Sequence, residues 1–265
     1  MPHIVSTHHL FEKGALYDEA RKIATRITLA TAEALHMNGI KEVIVADSHG
    51  PMVNMKVEDL PSYVNVVRGS PRPISMVSGI ESCDIALFLG YHSKAGTPKS
   101  TFDHTYSGST VDFLEINGKK VSEFLLNSYV AGYYEVPVVL VAGDAKLLHD
   151  DAEAFEHVEK VVFKNSMSRY AALSPSLQQI EQDLRKSVKR GVQRGGEVIT
   201  VASPVEVKLR FIESGMAGIA DLLPIISRID GKTVYYKVKN IVEAYNIFEA
   251  LVFASIGLKR ITSPE

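Results

Sequence analysis

Two short apolar runs that each break at a turn signal and then present a histidine limit this chain more than any other feature. One lies in CDIALFLGYHSKAGTPKSTFDH, where Ile85–Leu89 is apolar, Gly90 interrupts, and Tyr91 and His92 follow before a Gly/Pro/Ser/Thr-rich loop that ends at His104. The other is EVIVADSHG, where the run from Val43 leads directly into Asp47, Ser48 and His49. Short apolar runs bounded by turn residues read as buried strands of a parallel sheet. In open α/β sheets the carboxyl ends of such strands face the ligand crevice. Two strands that deliver a histidine at the same end therefore mark a candidate site.

The elements between these runs alternate. Residues 18–37 place Ala20, Ile23, Ala24, Ile27, Ala30, Thr31, Ala34 and Leu35 at helical spacing, and Asn38-Gly39 supplies a stop. Val64–Arg68 is a short strand, and 76–81 a helical turn. Asn117-Gly118, between apolar runs at 111–116 and 119–121, predicts a hairpin, because both turn residues tolerate positive φ. Ser122 is placed as the N-cap of a helix running to Tyr134, with Glu123 in its first turn. Strands at 136–142 and 161–163 follow. This order predicts an α/β fold with a mostly parallel sheet and helices on both faces. Residues 1–166 are assigned to that domain.

The remainder, 167–265, reads as a smaller α+β subdomain. Ser174-Pro175 is placed as N-cap and N1 of a helix to about Val192, Val205–Phe211 and Thr233–Val238 alternate as strands, and 241–257 forms a terminal amphipathic helix. All nine histidines lie before residue 158, so the subdomain supports the site and does not supply it.

Composition narrows the function classes. A net charge of −2 gives no reason to expect a nucleic acid or a membrane surface as partner. The lone cysteine, Cys83, excludes a disulfide framework within the chain and fits a cytoplasmic location. The sequence contains no phosphate-binding glycine loop and no G-x-S-x-G elbow. His36, His149 and His157 read as surface residues. His49, His92 and Glu123 together form a common zinc ligand set, which leaves a position for water. A metal there would lower the pKa of that water and polarise a carbonyl. His104, at the end of its loop, is the candidate acid, base or oxyanion donor.

YDEARKIATRITLATAEAL, EVIVADSHGPMVNM, ISMVSGI, ALFLGYHSKAGTP and INGKKVSEFLLNSYVAGYYEVPVVLVAGD resemble the D-aminopeptidases of bacterial and archaeal dipeptide-transport operons. The likeness covers most of residues 12–145 and continues weakly at MSRYAALSP. It implies a zinc-dependent peptidase acting on short peptides, with a preference for an N-terminal D-residue, assembled from copies of one chain into a ring. It also implies metal roles for His49, His92 and Glu123. His104 matches the family's catalytic histidine after a one-residue shift in the loop. The family pattern opens with a strand ending in Asp-x-Glu-Gly, whose acids bind two zinc ions, the Asp bridging them. Residues 1–16 contain no Asp-x-Glu, so a second ion would need ligands outside this sequence. A start assigned at an internal methionine is the favoured explanation, with roughly a dozen residues and one strand preceding it. The competing explanations are a truncation and a degenerate member that binds one metal or none. The competing functions are a catalytically impaired or non-catalytic binding or assembly protein on the same fold, and another metal-dependent amidohydrolase.

Overall fold

The computed structural model describes residues 1–262. After a 3-10 turn at Thr7–His9, α1 spans Tyr17–Met37. The strands and helices that follow are β1 (Val43–Ala46), β2 (Val64–Val67), β3 (Ala86–Tyr91), β4 (Val111–Ile116), β5 (Lys119–Lys120), α2 (Glu123–Tyr133), β6 (Val138–Asp144) and the short α3 (Ala145–Leu147). Then come β7 (Glu159–Ser168), β8 (Ala171–Leu173), α4 (Leu177–Arg194), β9 (Val205–Phe211), α5 (Ser214–Ala220), β10 (Ser227–Arg228), β11 (Thr233–Val238) and α6 (Ile241–Thr262).

The central sheet runs β3-β6-β7-β8; the first three strands are parallel, and β8 folds back antiparallel on β7. Buried side chains on both faces explain why β6 reads as an unbroken apolar run. Val139, Leu140 and Ala142 pack with Ile23, Ile27 and Leu35 of α1 and Ile180, Leu184 and Val188 of α4. Val138 and Val141 pack on the other side with Phe124, Leu125 and Val130 of α2. Helices thus cover both faces, as the alternating pattern required.

Beyond α2 lies a second, five-stranded sheet in the order β10-β11-β9-β4-β5. Its β4–β5 hairpin turns at Asn117 (φ 47) and Gly118 (φ 80), the two positive φ values that the Asn-Gly pair supplies cheaply. In β9, Val205, Val207, Leu209 and Phe211 are buried against α5 and α6, while Lys208 and Glu206 face outward and pair with Glu115 at 3.0 Å and Lys237 at 2.8 Å. β4 and β5 come from the first half of the chain, so this sheet is built from both halves.

Several boundaries differ from the sequence reading by a few residues, and the start of the long helix has a clear physical cause. The long helix begins at Leu177 with Ser176 as N-cap, its hydroxyl accepting from Gln179 N–H at 3.2 Å, two residues later than Ser174-Pro175 predicts. Ser174 and Pro175 are committed elsewhere. Ser174 Oγ accepts the His3 backbone N–H at 3.2 Å, and the Pro175 carbonyl accepts from the His3 ring Nε2 at 3.0 Å. Polar groups tied to the N-terminal segment cannot also cap a helix.

β1 pairs with β2 alone, as a separate parallel two-stranded sheet. Between it and β3 lies a cleft of about 1290 Å³, walled by Ile40–Asp47 on one side and Asp84–Tyr91 on the other. The N-terminal segment enters this cleft. The Met1 amine donates to the Gly90 carbonyl at 3.3 Å, and burial, with Lys164 adding to it, holds its pKa well below that of an ordinary amine.

Candidate metal centre

The site stands at the carboxyl end of β3, where the cleft meets the amino end of α2. Gly90 adopts φ +81, a conformation open to glycine at little cost, and this turn brings Tyr91 and His92 over the sheet rim. Neighbouring β6 can approach only because Gly143 has no side chain: a Cβ there would sit 2.1 Å from the Tyr91 carbonyl oxygen. Tyr91 is fixed from beneath, its hydroxyl accepting from Asn127 of α2 at 2.8 Å. α2 starts at its predicted cap. Ser122 Oγ accepts from Leu125 N–H at 3.3 Å, which sets Glu123 in the first turn, buried, where the helix dipole favours a carboxylate.

The loop from Ser93 to Thr110 carries His104. Three of its non-glycine residues, Lys99 (φ 52), Phe102 (φ 55) and Tyr106 (φ 65), hold left-handed backbone conformations. Each costs about 1 kcal/mol or more and persists only where the surroundings fix it. Buried Thr101 supplies one fixing point: its N–H donates to Ser166 Oγ at 3.0 Å and Asp144 Oδ2 at 3.3 Å. Tyr106 supplies another by donating its N–H to Glu123 Oε1 at 2.7 Å.

His92, His104 and Glu123 converge. Their ligand atoms lie within 4.8 Å of one another, with His92 Nε2 3.8 Å from Glu123 Oε2 and His104 Nε2 3.5 Å from Glu123 Oε1. The imidazoles stack at 4.2 Å and 29°. The Nδ1 of each faces a backbone carbonyl, Ser93 at 3.1 Å for His92 and Phe102 at 2.7 Å for His104. A carbonyl can only accept, so Nδ1 carries the hydrogen and Nε2 keeps its lone pair. Two imidazole lone pairs then face one carboxylate whose Oε1 already accepts the Tyr106 N–H, and this gathering of acceptors suits a cation. Carbonyl-anchored Nδ1–H is also how metal-ligating histidines are usually oriented. Donors about 2.1 Å from a tetrahedral zinc lie about 3.4 Å apart, close to the separations here.

Electrostatics agree. Burial, and then the neighbouring His104, push the His92 pKa well below that of a free imidazole, so its ring is neutral and able to ligate. Burial raises the Glu123 pKa, a shift that only a protonated His104 would oppose. A carboxylate held away from water gains most from a nearby positive charge.

The fourth expected residue sits apart from this cluster. His49, just past β1, lines the same cleft and is exposed, with Nε2 3.4 Å from the Leu10 carbonyl. Asp47 beside it is structural: its carboxylate accepts from Asn54 Nδ2 at 2.9 Å and Met55 N–H at 2.7 Å. Three cleft or loop groups escaped sequence reasoning. Lys164 is buried in β7, donates to the Ile4 carbonyl at 2.9 Å, and has its pKa pulled down to about 8 by desolvation, which Asp144 partly opposes. Asp144, the last residue of β6, caps α3 and accepts from Thr101 N–H and the Ser166 hydroxyl, which ties the His104 loop to β6 and β7. Arg169 reaches Asp103, next to His104. Lys164 follows buried Phe163 and breaks the strand's alternation, so the pattern gave no sign of it.

A family model described as D-aminopeptidase matches residues 1–250. The D-aminopeptidase of Bacillus subtilis (strain 168) is 34% identical over 248 residues, spanning 92% of this chain and 89% of that protein. A solved structure, the Zn-dependent D-aminopeptidase from Bacillus subtilis, described as a self-compartmentalizing protease, matches with a TM-score of 0.91 and 29% identity, covering 96% of this chain and 94% of the other.

Proposed function

This chain belongs to the D-aminopeptidase family, and from that membership we propose that it is a zinc-dependent aminopeptidase acting on short peptides that begin with a D-residue. The convergence of His92, His104 and Glu123 carries the reading.

His92 Nε2 and Glu123 Oε2 are assigned as metal ligands, since Glu123 Oε1 already accepts the Tyr106 N–H. His49, on the facing wall of the cleft, is assigned as a further ligand on the strength of the family resemblance. When bound, zinc supplies Lewis acidity and lowers the pKa of a coordinated water. His104 is assigned the proton-transfer part. Its Nδ1–H is anchored on the Phe102 carbonyl, which leaves Nε2 free to take a proton and return it to the departing amine. Glu123 stabilises the imidazolium formed in that step from 3.5 Å. Glu123 itself is buried, which strengthens its electrostatic contacts with the two imidazoles.

The related enzyme is self-compartmentalizing, and we propose that this chain likewise assembles with copies of itself. The exposed apolar residues Leu222, Ile225 and Ile229 beside β10 support such contacts. Sedimentation at micromolar concentration tests it; a monomer contradicts it. The catalytic reading is tested by hydrolysis of D- and L-alanine p-nitroanilide before and after metal removal. Zinc-dependent release with the D-form preferred supports it. Inert, zinc-free protein would leave only a binding protein on this scaffold.

A further inference from the structure

We infer that Arg169 is a positioning residue for His104: its guanidinium clasps the strained loop that carries the imidazole. Arg169 stands at the turn between β7 and β8. Its Nη1 donates to the Asp103 backbone carbonyl at 2.7 Å and also to the Asp103 carboxylate. Its own carbonyl accepts the Phe102 N–H at 3.2 Å. Arg169 therefore grips both residues that precede His104, and Phe102 is the residue whose carbonyl anchors the His104 ring.

The remaining contacts close the clasp. Asp103 uses its other oxygen to accept the Gly96 N–H at 2.8 Å, so the ion pair also ties the start of the loop to its end. A Cβ on Gly108 would meet His104 Cβ at 3.4 Å and Arg169 Nη2 at 3.8 Å, which places the guanidinium and the histidine against the same backbone segment. Tyr170 extends the hairpin's hold by packing edge-on against Phe102 at 5.8 Å. Phe102 and Tyr106 flank His104 with positive φ, conformations that relax unless held. Asp144, Ser166 and Thr101 pin the loop before this point and Glu123 pins it after. Arg169 is the contact that reaches residues 102–103, next to the imidazole itself. Its side chain is 42% exposed, so the clasp works through geometry more than through charge.

The kinetic consequence rests on the proposed peptidase function; the structural one does not. Arg169→Ala, Arg169→Lys and Asp103→Asn are compared with the parent protein by hydrogen–deuterium exchange of metal-free samples and by steady-state hydrolysis of D-alanine p-nitroanilide with zinc. The expected result for Arg169→Ala is exchange at least about tenfold faster confined to peptides spanning 94–108. It should come with a fall in kcat of about tenfold or more, KM within about threefold, and partial recovery of kcat on adding methylguanidinium. Arg169→Lys and Asp103→Asn, which each keep part of the clasp, should fall between Arg169→Ala and the parent. Unchanged exchange in Arg169→Ala overturns the clasp. Faster exchange with kcat unchanged overturns its role in placing His104, and a rise in KM alone would make Arg169 a substrate contact instead. If the parent protein is inactive, the peptidase reading fails while the exchange comparison still decides whether the clasp exists.

Discussion

Replacing Glu123 with glutamine should move stability in opposite directions with and without metal. In the metal-free protein the buried carboxylate is disfavoured as an anion, which is why its pKa is raised. Glutamine keeps the volume, and its Oε1 keeps the 2.7 Å bond from Tyr106 N–H. Its amide N–H can donate toward His92 Nε2, the atom 3.8 Å from the present Oε2. Exchanging a buried charge for a satisfied amide should stabilise the metal-free fold by about 1 kcal/mol at pH 7. The sign follows from linkage. A carboxyl whose pKa is raised by folding favours the native state at low pH and loses that contribution as pH rises through its folded pKa, so the advantage of glutamine should grow from acid to neutral pH. With zinc the order inverts. If four ligands share about 10–16 kcal/mol, losing one removes about 3 kcal/mol, or about a hundredfold in affinity. At a zinc concentration near 100 Kd for the parent, binding adds about 2.7 kcal/mol to its stability, whereas the variant, then near its own Kd, gains only about 0.4 kcal/mol. Thermal unfolding of both proteins, with chelator and with zinc, measures the four values. An equal zinc-induced shift in the two proteins would rule out Glu123 as a ligand, and a variant less stable without metal would rule out a destabilising buried carboxylate.

The other substitutions separate ligand, catalytic and structural roles. His104→Ala should retain zinc while losing about a hundredfold in kcat, and His49→Ala should lose zinc affinity first; metal content alongside kcat distinguishes them, and the reverse pattern would exchange their assignments. Lys164→Met should stabilise the protein at pH 7 by about 2 kcal/mol, since lowering the lysine pKa from 10.5 to about 8 costs about 3 kcal/mol and its bond to Ile4 returns about 1. Because the unfolded lysine binds more protons between those two pKa values, the parent gains stability as pH rises from 8 toward 10.5 and the difference should shrink there; denaturant titrations at pH 7 and 10 check it. Gly118→Ala should cost about 1–2 kcal/mol in urea unfolding, from φ +80 alone, because no atom lies within 4 Å of the added methyl.

The parts of the fold legible in the sequence are those fixed by local chemistry. β6 has both faces buried and so reads as a continuous apolar run, Asn117-Gly118 permits little but a tight hairpin, and Ser122 caps α2 through its own hydroxyl. These local rules also placed His92 and Glu123 near each other, because each sits at the end of an element whose end is signalled. Contacts between distant segments were not legible. The start of α4 moved because Ser174 and Pro175 bond His3, over 170 residues away in sequence. The depth of Lys164 depends on the N-terminal segment crossing the cleft, and Arg169 meets the His104 loop only after β7 folds back into β8. His104 was found as a residue type at a loop end, but its 3.5 Å approach to Glu123 depends on the positive-φ backbone of the loop, which has no glycine there to announce it.

Anomalous diffraction at the zinc absorption edge, on crystals of the zinc-loaded protein, tests the centre most directly. A strong peak is expected about 2.0–2.2 Å from His92 Nε2 and from a carboxylate oxygen of Glu123. A peak at other residues, or none within bonding distance of this pair, would contradict it.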